Sequence, residues 1–172
     1  MRLTLSILVF VTGPLLFAKG QTQTMPSKKE QYDFLRWYIS HTKLPSLSDS
    51  TAYFFNNDEF TIKDFSRVLK QSAALTPTDI KLIIEQIHLV DKNKTLLDTV
   101  LLSYSDWKGK SNKTNTESYI SLPVFSANRK FVFISHGFYC GETCGREGIE
   151  VYIKTRKGWK HFDRLILPFA VF

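Results

Sequence analysis

The chain has 172 residues, a formal charge of +7 from 23 Lys and Arg against 16 Asp and Glu, and 43% apolar residues. That apolar content excludes a charge-rich disordered chain, and the length suits one domain with a core of its own. The basic residues sit in small scattered groups (Lys28-Lys29, Lys108/Lys110/Lys113, Arg129-Lys130, Arg156-Lys157), which argues against nucleic acid as a partner.

Residues 1–20 read as a secretion signal. Arg2 gives the positive start, Leu3 to Phe17 the apolar run, and Ala18-Lys19-Gly20 a small-x-small cleavage site. The run is shorter than the ~20 residues of a spanning helix and contains Pro14, so a cleaved leader is favoured over a membrane anchor. Subtracting Arg2 and Lys19 from +7 leaves a mature chain from Gln21 at +5. No later segment is long and apolar enough to span a bilayer. The expected location is the periplasm or the exterior.

Gln21 to Pro26 is polar and predicts a disordered lead-in; residues 27–172 are read as one domain. Ser27 and Glu30 form a capping box before Phe34, Leu35, Tyr38 and Ile39, predicting a helix to about His41. Thr51 to Phe55 is β-prone and reads as an edge strand, followed by a turn at Asn56-Asn57-Asp58. Thr61 with Asp64 caps a second helix, and Thr76-Pro77 starts a third whose Ile80, Ile83, Ile84 and Ile87 make a core stripe. Leu96 to Trp107 is β-rich, and Lys108 to Thr116 a polar loop.

Tyr119 to Phe125 predicts a strand broken at Pro123, and Ala127-Asn128 turns the chain into a strand from Lys130 to Tyr139. Ile149, Val151 and Ile153 alternate with Glu150, Tyr152 and Lys154, the pattern of a half-buried strand. Arg156-Lys157-Gly158 turns into a last strand from Trp159, and Leu165 to Phe172 is an apolar end containing Pro168. Helices first and strands last predict an α+β fold: helices covering one face of a twisted antiparallel meander of four to five strands.

The two cysteines, Cys140 and Cys144, lie in the loop Cys140-Gly141-Glu142-Thr143-Cys144-Gly145-Arg146-Glu147-Gly148 between two predicted strands. In an exported protein that spacing reads first as a structural disulfide, contributing roughly 2 kcal/mol for so small a ring. A dithiol catalyst usually has two residues between its cysteines at a helix start, and here there are three between strands. A zinc site from His136, Cys140, Cys144 and His161 is the other alternative.

Leu122-Pro123-Val124-Phe125-Ser126, Tyr139-Cys140-Gly141 with Cys144-Gly145, and Gly158-Trp159-Lys160 together resemble a group of exported bacterial proteins of Bacteroidetes-type genomes. Those carry a strand, a Cys-Gly-x-x-Cys-Gly loop, a strand, a Gly-Trp turn and a final strand. The resemblance implies location and strand order, and brings no activity with it.

Ser135 and His136 are strand neighbours with side chains on opposite faces, so they form no nucleophile–base pair. Gly-x-Ser-x-Gly, His-Glu-x-x-His and a phosphate-binding glycine loop are missing from the sequence, which offers no catalytic residues. Glu142, Glu147 and Glu150 read as solvated acids. Trp107, Tyr139, Arg146 and Tyr152 are the candidate binding residues, on an open sheet face or beside the loop. The expectation is a non-enzymatic binding domain without cofactor, its partner a small apolar or glycan-like ligand or an envelope protein. The competing expectation is a zinc-dependent or thiol–disulfide enzyme built on the cysteine loop.

Overall fold

A computed structural model describes residues 24–42, 44, 47–48, 51–54, 61–93, 96–98, 100–102, 117–139 and 145–166. Among these, three helices, α1 (Lys28–His41), α2 (Ile62–Gln71) and α3 (Pro77–Lys92), precede five strands. The strands are β1 (Glu117–Ile120), β2 (Val124–Phe125), β3 (Phe131–Tyr139), β4 (Gly145–Thr155) and β5 (Gly158–Ile166).

Local chemistry sets each helix start. Ser27, Thr61 and Thr76 each accept the N–H three residues on, while Glu30, Asp64 and Asp79 reach back to the cap N–H. Two otherwise orphaned donors are satisfied at each end, and the acid also meets the positive end of the helix dipole.

All strand pairs are antiparallel, in the order β1-β3-β4-β5. β2 lies along the same edge of β3 as β1, so the pair is one strand interrupted around Pro123, as the sequence indicated. Tyr119 faces Gly137 across this edge, and a Cβ on Gly137 would sit 2.2 Å from the Tyr119 ring, so the ring lies over the glycine and would have to move to admit any side chain there. The β1 edge is covered by an earlier segment: Leu47 bridges Ser118, and the Ser48 and Ala52 N–H groups donate to Ser118 and Ile120. Of the strand expected from Thr51 to Phe55, the described residues 51–54 form none. The β-rich reading of Leu96 to Trp107 is likewise corrected at 100–102, a turn in which Asp98 accepts the Val100 and Leu101 N–H groups. A short acid side chain there outcompetes strand propensity.

The α+β class and element order hold, but the helices do not share a face. Phe131 and Phe133 point from β3 into a cluster with Phe65, Leu69, Ile83 and Ile87 of α2 and α3. Val132 and Ile134, alternating with them, point into a second cluster with Tyr32, Phe34, Leu35 and Tyr38 of α1. The sheet is therefore a central layer with α1 on one side and α2 and α3 on the other. The cause is hydrophobic: side chains alternate along a strand, and both sets from β3 are large and apolar.

α3 is fixed to the strand edge by two buried polar side chains. The Gln86 amide donates to Phe125 O at 2.7 Å and accepts from Phe125 N at 2.9 Å, pairing with β2 as a neighbouring strand would. Asp79, besides capping α3, accepts the Ala127 N–H at 2.8 Å. On the other face the Phe34 ring packs against those of Tyr38, Phe125, Tyr152 and Trp159.

Burial pushes the Asp79 carboxyl up, but hydrogen bonds from Thr76, Ala127 and Asn128 outweigh it and hold the group below its ordinary value. Its contribution to stability is complete above the ordinary carboxyl pKa of about 3.9 and is lost as pH falls through the folded value. Asp91 is the reverse: burial raises it against the Phe54 N–H it accepts, so its contribution is present at low pH and is lost as pH rises through the raised value. Asp79→Asn should cost about 1–2 kcal/mol at neutral pH, with the gap from wild type narrowing below about pH 4. Asp91→Asn should instead gain relative to wild type as pH rises. Urea midpoints across pH test both, and a gap for Asp79→Asn that ignores pH contradicts the assignment.

Candidate functional site

Of the residues singled out in the sequence, His136, Arg146 and Tyr152 converge on the α1 face of β3 and β4. Ile134 pairs with Glu150, His136 with Gly148 and Phe138 with Arg146, so one face of this end of the sheet carries His136, Arg146 and Glu150. Tyr152 follows two residues on. It is 5% exposed and enclosed by the rings of Phe34, Trp37, Tyr38 and His161 at 5.3–5.8 Å, so its expected place on an open face is corrected. α1 covers it.

Glu150 anchors the cluster. Its Oε2 accepts the Tyr152 hydroxyl at 2.7 Å and the Tyr38 hydroxyl at 3.2 Å. Its Oε1 lies 3.7 Å from His136 Nδ1, beyond hydrogen-bond reach but close enough for an ion pair when the ring is protonated. The sequence placed Glu150 among solvated acids; its side chain is 12% exposed. In the sequence Tyr38 marks only the core-facing stripe of a helix. The link between Tyr38 and Glu150 spans 112 residues, so no local pattern encodes it. His136 exposes 16% of its side chain, and neither ring nitrogen has a hydrogen-bond partner among the described residues. The same holds for Arg146 Nε.

The remaining candidates lie apart. Tyr139 ends β3 at 47% exposure. Ser135 faces away from His136: its hydroxyl donates to Glu147 at 3.3 Å. His161 is exposed and pairs with Tyr152, four residues along β4 from the Gly148 opposite His136. Two strand spacings and four residues set the two histidines about 16 Å apart between Cα atoms, too far to share one metal ion. Among the described residues no three His, Cys, Asp or Glu side chains are grouped to hold a metal. Cys140, Cys144 and Trp107 lie outside the described residues, as do residues 1–20. The flanks of the cysteine loop are defined: Tyr139 pairs with Gly145, so residues 140–144 are a five-residue connection clamped at both ends.

A second feature lies on the opposite face. A cleft of about 310 Å³ opens between the end of α2 and the sheet, lined by Val68, Leu69, Leu75, Phe131, Phe133 and Phe162. Its polar groups are Gln71, Ser72 and Asp163. Val151 pairs with Asp163 and Tyr152 with His161, which leaves Phe162 as the extra residue of a bulge. That turns Phe162 to the cleft, 55% exposed, with its ring 5.6 Å from Phe131. Nothing in the alternation of the strand announces the bulge.

Glu150→Leu should cost about 2–4 kcal/mol in denaturant melts, because it strands the two tyrosine hydroxyls. The cost should shrink in a Tyr38→Phe, Tyr152→Phe background, and strict additivity would contradict the shared acceptor. Comparison with protein-family models, curated proteins and solved structures finds no match.

Proposed function

We propose that this chain is an exported, non-enzymatic binding domain whose cleft between α2 and the sheet takes a small apolar ligand. The cleft carries this reading. Its volume of about 310 Å³ is at the lower end of small-molecule sites, and its apolar walls with a few polar groups at hand match how such sites bind. Phe162 stands half in solvent beside it, where a ligand would bury the ring and gain roughly 25 cal/mol per Å² covered.

Export rests on the leader-like residues 1–20. It makes a disulfide between Cys140 and Cys144 the natural state of the loop. The Tyr139–Gly145 pair supports that bond, since it anchors both ends of the short connection. The bond would stiffen the turn at the far end of β3 and β4 without deciding the stability of the domain.

Titration of the purified mature chain with N-phenylnaphthylamine should give saturable fluorescence. Val68→Phe, which fills the cleft, should weaken it at least about tenfold (about 1.4 kcal/mol) with the melting temperature kept. Equal binding by that variant, or no saturable signal from wild type, would sink the reading. Thiol counting under denaturing conditions should find no free thiol, and Cys140→Ser with Cys144→Ser should lose roughly 2 kcal/mol. Two free thiols in protein recovered from the periplasm would contradict the bond.

A further inference from the structure

We infer that the cleft between α2 and the sheet, given that it is a ligand site as proposed above, selects an apolar amine, with Asp163 as the partner of its ammonium group. Two separate sources of negative charge meet there. The first is the bulge in β5. Phe162 is the extra residue, and Asp163 pairs with Val151, whose side chain belongs to the cluster under α2 and α3. Two consecutive side chains, a ring and a carboxylate, therefore line the same cleft, where a regular strand would send one of them to the α1 face. Among the described residues that line the cleft, Asp163 is the one charged side chain, and it is exposed.

The second source is α2. Val68, Leu69, Gln71 and Ser72 bring its last turn and its C-cap to the cleft. The last carbonyls of a helix lack partners within it and carry the negative end of its dipole, a place that favours a cation. The walls agree with both. Phe131, Phe133 and Phe162 bring three rings to the cleft, and the face of such a ring attracts an ammonium group within about 6 Å. Lys130 shows that attraction in the protein itself, with its ammonium 5.6 Å from the centre of the Phe131 ring. Neither Lys130 nor Lys70, in the last turn of α2, is among the lining residues. A ligand with an apolar body and one positive end fits rings, helix end and carboxylate together. A fatty or aromatic acid would set its charge against the last two.

The mature chain titrated with 4-phenylbutylamine, 4-phenylbutanol and 4-phenylbutanoate at pH 7, followed by amide shifts, tests this with one body and three end groups. The amine should bind at least about fivefold more tightly than the alcohol, and the acid most weakly. In Asp163→Asn the amine should come within about twofold of the alcohol. Should that variant misfold, about 0.5 M salt on the wild type should shrink the amine's lead over the alcohol. Alcohol and amine binding alike would overturn the selectivity and leave the cleft a ligand site. The acid binding best would overturn it too, since Lys130 or Lys70 would then set the preference. So would an amine lead that survives Asp163→Asn, or one that ignores salt. Saturable binding by none of the three would sink the cleft as a site and the amine with it.

Discussion

The structure depends on β3 being buried on both faces. Phe131 and Phe133 face α2 and α3, and Val132 and Ile134 face α1, each 4% exposed or less. One short strand thus joins two hydrophobic clusters, and each helical layer needs the sheet to bury its own stripe. The antiparallel pairs to β1, β2 and β4 satisfy the strand's main chain in a place water does not reach. Folding of the two layers should be coupled, because loss of either uncovers apolar side chains of the same strands.

Burial on both faces forces polar solutions where the sheet ends. β2 is two residues long and its outer edge meets α3, which has no main-chain groups to offer. Gln86 supplies an amide instead, and Asp79 takes the Ala127 N–H. On the α1 side Glu150 and Tyr152 stand where an apolar pair would pack, and the tyrosine hydroxyls on the carboxylate offset the cost of burying it. Toward the cysteine loop, both ring nitrogens of His136 and Nε of Arg146 are buried with no hydrogen-bond partner among the described residues. The cleft on the other face arises differently: one extra residue in β5 turns Phe162 over the end of α2.

The sequence was most legible where the interactions are local. Ser27 with Glu30, Thr61 with Asp64, and Thr76-Pro77 are signals within a single turn, and all three helices begin where they indicate. The Pro123 break and the Arg156-Lys157 turn are written in the same way. Glu150 and Tyr152 were not legible, because alternation with Ile149 and Val151 reads identically whether water or a helix lies on the polar side. What buries them is α1, more than a hundred residues earlier. A signal did exist in Phe131-Val132-Phe133-Ile134, an unbroken apolar run that marks a strand covered on both sides. The sequence picked His136 and Arg146 for a metal or a ligand on the strength of their nearness to the cysteines. The register brings the two together by another route, across Gly148, and separates His136 from His161.

The most direct test of the two-sided sheet uses a matched pair of isoleucines. Ile134 lies under α1 and Ile149 under α2 and α3, and both are fully buried. Chemical unfolding of Ile134→Ala and Ile149→Ala should give losses of similar size, about 2–5 kcal/mol each, in a single cooperative transition. A loss at Ile149 with almost none at Ile134, or an α1 layer that melts separately, would contradict the account.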